Sequence, residues 1–122
     1  MRFFDYLSRK KGIEEFSAGP VFIGEQDGVP ERALKQSLSA LFSRNAEVQK
    51  AFLARAHYGD AKNSTVCLAI AARNIAESAL VREVQTVFAS QFNRSAHLDI
   101  VFLTSKQERR IASVCRPFYQ AA

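Results

Sequence analysis

Cysteine is scarce in this chain. Its only two, Cys67 and Cys115, lie far apart in the sequence. Two such thiols make neither a disulfide framework nor a zinc box. Both sit among apolar neighbours, where cysteine acts as a small buried hydrophobe. Long hydrophobic runs are also missing. The longest, VCLAIAA at 66–72, falls far short of the roughly 20 residues a bilayer-spanning helix needs. The opening stretch MRFFDYLSRKKG has charges but no apolar h-region, so no secretory signal is read there. The expectation is a bacterial-type cytoplasmic protein. The Gly-x-Gly-x-x-Gly, Gly-Lys-Ser/Thr and Gly-x-Ser-x-Gly patterns do not occur, which removes the usual dinucleotide, phosphate-loop and hydrolase signatures.

What is present is an ordinary globular balance. The chain has 122 residues, 48% hydrophobic and 24% charged. That is one domain, long enough to bury roughly two-thirds of its unfolded surface in a single core. The net charge is +5, and it is uneven. Residues 1–11 carry Arg2, Arg9, Lys10 and Lys11 against Asp5. Residues 104–122 carry Lys106, Arg109, Arg110 and Arg116 against Glu108. Each end is therefore +3, and the body between them is −1. A nucleic-acid module spreads its basic residues over one binding face, so this distribution argues against nucleic acid as a partner.

Periodicity divides the chain. Residues 1–19 read as a leader: an amphipathic stretch with Phe3, Phe4, Tyr6 and Leu7, then the linker GIEEFSAG. The amphipathic stretch is compatible with a membrane surface, but docking on its own domain is the favoured reading. Residues 20–122 read as one α+β domain. PVFIGE is a strand between Pro20 and Gly24. Pro30 opens a helix, since its missing N–H is not needed in the first turn. Leu34, Leu38 and Leu41, widened by Phe42, form its buried face, and Asn45 is its stop. VQKAFLARAHY alternates, with Ala51, Leu53 and Arg55 on one side and Phe52, Ala54 and Ala56 on the other. GDAKN is a turn, and STVCLAIAA is a second strand, apolar on both faces. Asn74 caps a helix whose stripe is Ala76, Leu80, Val84, Val87 and Phe88. HLDIVFLT is a strand. Ser105 caps a last helix that turns Ile111, Val114 and Cys115 inward, and Pro117 ends it. The order β-α-β-β-α-β predicts a ferredoxin-like antiparallel sheet with helices on one face, plus a C-terminal helix.

The ordered set of Gly24-Glu25, Val48 to Arg55, and Pro117-Phe118-Tyr119 resembles the C-terminal domain of the enhanced serine sensitivity (SseB) family. The resemblance covers about residues 20 to 120. It implies a bacterial α+β domain of unassigned biochemical activity. Two features depart from the family pattern. Gln26 stands where the family often has proline. The run Leu68 to Arg73 replaces an Ile-Gly-Ile segment that leads into acidic residues.

The candidate contacts for a ligand or partner are Gly24, Glu25, Arg55, His57, Arg116, Phe118 and Tyr119. The loop GEQDG joins a strand to a helix, as phosphate cradles do, but Glu25, Asp27 and Glu31 place negative charge where phosphate would sit. It therefore reads as a connection, with Glu25 its best functional residue. His97 and Asp99 share a parity and can orient a base, but no nucleophile is marked for them to serve. Phe118 and Tyr119 read first as aromatics that pin the terminus, and with Arg116 as an interface. No catalytic set, metal site or cofactor is predicted. The first expectation is a non-catalytic module that binds a protein partner or self-associates through a partly apolar open sheet face. The alternatives are a small-molecule or enzymatic domain linked to serine metabolism, and a nucleic-acid or membrane-surface binder using the basic ends.

Overall fold

Two adjacent alternating segments carry the fold. Val48–His57 and Ser64–Ala72 pair antiparallel along their whole length, Val48 opposite Ala72 and His57 opposite Ser64. These are β2 and β3. The computed structural model describes residues 20–58, 64–73, 76–93 and 95–122. The expected leader helix and linker of 1–19, the turn at 59–63 and the Asn74 cap lie outside the described residues. Around the hairpin stand β1 (Val21–Glu25), α1 (Val29–Phe42), α2 (Glu77–Gln91), β4 (Asp99–Phe102), α3 (Ser105–Ala112) and β5 (Tyr119–Gln120). Among the described residues no helix is long and apolar enough to cross a membrane.

The architecture is α+β, but the sheet is mixed and its order is β1-β2-β3-β4. This corrects the expected antiparallel, ferredoxin-like arrangement, in which another strand would separate the two strands joined by a helix. Here β1 lies directly beside β2, and β4 lies directly beside β3 and parallel to it. The reason is geometric. Glu25, the last residue of β1, pairs with Ala54, so β2 begins six residues beyond the end of β1. That offset is about 20 Å at strand rise. The 14 residues of α1 span about 21 Å. The helix carries the chain on to the level of Val48, and β2 returns antiparallel against β1. Half of the outer edge of β2 is then left over, and β5 occupies it, pairing Tyr119 with Ala51 and Gln120 with Lys50.

The alternation in β2 separates two cores, as the sequence predicts. Ala51 and Leu53 join Leu34, Leu38, Leu41 and Phe42 of α1 and Leu80, Val81 and Val84 of α2. Phe52, Ala54 and Ala56 face the other way, with Cys67, Ala69, Val101, Ile111 and Cys115. The second face is thus packed by Ile111 of α3 and by Cys115 just beyond it, not left open. Helices on both faces correct the one-sided expectation. The residues of that face explain it, since Ala54, Ala56, Cys67 and Ala69 are small enough for a helix to approach closely.

Two details of α3 also differ. Its cap is Thr104 rather than Ser105, in a capping box closed by the Gln107 side chain. The helix stops at Ala112, so Val114 falls outside it and is 39% exposed. Lys50 of β2 reaches Glu108 at 3.4 Å and ties α3 to the sheet.

The C-terminal aromatics hold both β5 and α1. Tyr119 meets Phe42 edge-on at 5.7 Å, and its hydroxyl donates to the Phe42 carbonyl at 3.2 Å. That carbonyl is among the last of α1 and also accepts from the Asn45 N–H. Phe118 packs on the same ring at 6.3 Å, and its N–H donates to the Ala51 carbonyl. Tyr119→Phe keeps the ring packing and removes one part-buried hydrogen bond. A loss of about 1 kcal/mol is expected in urea denaturation, with the m-value unchanged.

Candidate functional site

The meeting point of β1 and β5 on the edge of β2 gathers most of the charged candidates. Glu25 ends β1 beside Ala54. Its carboxylate lies 3.6 Å from Lys35 Nζ and 3.7 Å from Arg116 Nε, and it accepts from the Arg116 N–H at 3.4 Å. Lys35 also reaches Asp27 at 3.6 Å, and Asp27 accepts two bonds from Arg32, each 3.3 Å. Burial ranks these contacts. The Lys35 side chain is only 14% exposed, whereas that of Arg116 is 90% exposed. The Lys35–Glu25 pair is therefore shielded from water, and the Arg116 pair is screened by it. Arg32 beside Asp27, with the Gly28 N–H, holds the Asp27 carboxyl below the usual carboxylate range. Its stabilising contribution is present above the carboxylate range of the unfolded chain. It is lost as pH falls through the lowered folded value.

The loop itself is fixed by Gly28. Its φ of 152° belongs to backbone that side chains rarely adopt, and a Cβ there would strike the Glu31 carboxylate. The loop therefore reads as a tightly specified connection between β1 and α1. Its carboxylates are taken up by Lys35, Arg32 and Arg116, and no phosphate cradle remains.

The second gathering lies on the α1–α2 face, at the end of β2 that those helices do not cover. Arg55 and His57 share the parity of Leu53 and point to that face. Arg55 donates from Nε to Gln26 Oε1 at 3.1 Å and from Nη1 to Ser64 Oγ at 2.9 Å. Gln26 in turn donates to Glu31 at 2.9 Å. His57 lies opposite Val21 on one side and Ser64 on the other. Its Nδ1 is buried and has no hydrogen-bond partner among the described residues. Gly24 is the cross-strand neighbour of Arg55, and a Cβ placed on it would meet nothing within 4 Å. Val21 and Ile23 stand at this edge 47% and 49% exposed.

The seven sequence-chosen residues thus fall into three places. Glu25 joins Arg116. Gly24 and Arg55 share a cross-strand pair, with His57 next along the same face. Phe118 and Tyr119 turn inward onto Phe42. His97 is exposed, while Asp99 is 5% exposed in β4. Lys35, Gln26 and Ser64 were missed. Lys35 carries a faint signal, because it sits between the buried Leu34 and Leu38. Gln26 was visible only as a departure from proline, and its N–H donates to the Leu53 carbonyl, a bond proline cannot make.

Both thiols are buried, and their surroundings favour the protonated form. Burial first, then the nearby Glu25 carboxylate, pushes Cys115 up to about 11, and burial pushes Cys67 further still. Among the described residues no three His, Cys, Asp or Glu side chains gather where a cation could sit. At the opposite end of β2 from Arg55 a shallow depression of about 360 Å³ is lined by Ala46, Glu47, Gln49 and Arg73. The Gln49 side-chain oxygen faces the Arg73 guanidinium there.

These features define a small α+β domain whose sheet edge is completed by its own C-terminal aromatics and locked by a strand-end Gly-Glu. The family model of the SseB protein C-terminal domain matches residues 17–121, and the chain belongs to that family. No curated protein and no solved structure matches it.

The ranking of the Glu25 contacts is testable. Glu25→Ala leaves a shielded ammonium with half its compensation, at an expected cost of about 1–2 kcal/mol. Arg116→Ala removes only a solvent-screened pair and leaves the urea midpoint unchanged. Equal losses would contradict the ranking.

Proposed function

We propose that this SseB C-terminal domain is a non-catalytic protein-binding module. Its contact surface is the uncovered end of the sheet around β1. The observation that carries this reading is the exposure of Val21 and Ile23 on an edge strand. Among the described residues β1 pairs with β2 alone. An edge strand offers a row of free N–H and C=O groups to another chain, and protruding apolar side chains add the hydrophobic part of an interface. The register slip between Phe22 and Gly24 bulges the strand at Ile23. A bulge of this kind discourages indiscriminate edge pairing and re-aims a side chain, which suits a selective contact.

Ile23→Asp tests this directly. The residue is half exposed, so the variant keeps the wild-type melting temperature. The immobilised wild-type chain is expected to retain a protein from lysate, or to self-associate by light scattering, and Ile23→Asp to lose that association. Association that survives Ile23→Asp unchanged would contradict the proposal, as would a wild-type chain that stays monomeric and retains nothing.

A further inference from the structure

Among the described residues, Arg55 is a cation on this surface whose hydrogen-bond partners carry no charge. A guanidinium has five N–H donors. Two of those on Arg55 go to neutral oxygens, on Gln26 and Ser64. Among the described residues no carboxylate lies within ion-pair distance of it. The other basic residues near β1 contrast with it, since Lys35, Arg32 and Arg116 all sit beside Glu25 or Asp27. The two bonds also hold the guanidinium across β2 in one orientation, so little freedom remains to be lost when a ligand binds.

The strand beside it supplies the space. Gly24 is paired with Arg55 across the β1–β2 ladder, and directly paired residues share a face of the sheet. A side chain at 24 would rise from the same face of the sheet as Arg55. Glycine leaves that position open, with nothing within 4 Å of where a Cβ would be. On the same strand Val21, the cross-strand neighbour of His57, and Ile23 are about half exposed.

We infer that the open space over Gly24 beside Arg55 receives a carboxylate side chain from a protein partner, carried on an acidic segment whose apolar residues rest against Val21 and Ile23. Carboxylate is the group a guanidinium fork matches best. A protein segment fits this surface better than a small acid does, because the edge strand β1 carries the exposed apolar side chains of Val21 and Ile23 alongside Gly24. The inference rests on the binding surface proposed above and adds the chemistry of its partner.

The probe is a blocked heptapeptide of alternating valine and glutamate, compared with the same peptide carrying glutamine for glutamate, in fluorescence anisotropy with the full chain. The glutamate peptide is expected to bind about tenfold tighter than its neutral counterpart. Arg55→Gln and Gly24→Val are each expected to abolish that preference. Gly24→Val places its Cβ in open space and gains strand propensity, so it is expected to melt no lower than wild type. Its loss of binding therefore cannot come from unfolding. Equal binding of the two peptides, no binding of either, or a preference that survives Arg55→Gln would overturn the inference. So would free glutamate competing as well as the peptide, since the site would then serve a small molecule. If Ile23→Asp abolishes association while Arg55→Gln does not, the surface stands and the carboxylate assignment alone fails.

Discussion

The outer edge of β2 is the constraint on which the rest of the molecule depends. β2 has ten residues and β1 only five. One short strand cannot satisfy the backbone groups along that edge, and buried unpaired groups are costly. The chain supplies the missing part from its far end. The Phe118 N–H meets the Ala51 carbonyl, the Ala121 N–H meets that of Gln49, and the Gln26 N–H meets that of Leu53 where β1 leaves off. The C-terminal segment is thus a structural member of the sheet. Its aromatics also pack on Phe42 and close the end of α1.

The same constraint orders the charges. Since β1 and β5 meet end to end on β2, Glu25 and Arg116 come together across the length of the sequence. Lys35 bridges the same carboxylate from α1 and carries the pair into partial shelter. Charges that suggest chemistry in the sequence are in this way largely spent on each other. One strand position away, Arg55 has no carboxylate partner among the described residues, and Gly24 leaves open space on the same face.

Much of this was legible before any coordinates. The 3.6-residue spacing of Leu34, Leu38 and Leu41 gave the buried face of α1, and the alternation from Ala51 to Ala56 put Ala51 and Leu53 in one core and Phe52, Ala54 and Ala56 in the other. The burial of Cys67 and Cys115 followed from their apolar neighbours. Strand order was not legible, because it depends on where α1 delivers the chain, and periodicity carries no direction. Strand β5 was invisible because two residues cannot show an alternation. The second helical layer was hidden for a related reason: the stripe of α3 is short, and only Ile111 within the helix is buried. Arg55 and His57 were chosen as single residues. What places Arg55 beside Gly24 is a cross-strand register, and register is set by partners distant in sequence.

Native-state amide hydrogen exchange read by NMR is the most direct test of the completed edge. If β1 and β5 together satisfy β2, the amides of Gln26, Phe118 and Ala121 exchange as slowly as those of the β2–β3 ladder, through the same cooperative opening. Exchange of Phe118 and Ala121 at free-peptide rates, with the β2–β3 ladder still protected, would mean that the C-terminal segment only rests on the surface. The edge of β2 would then be open.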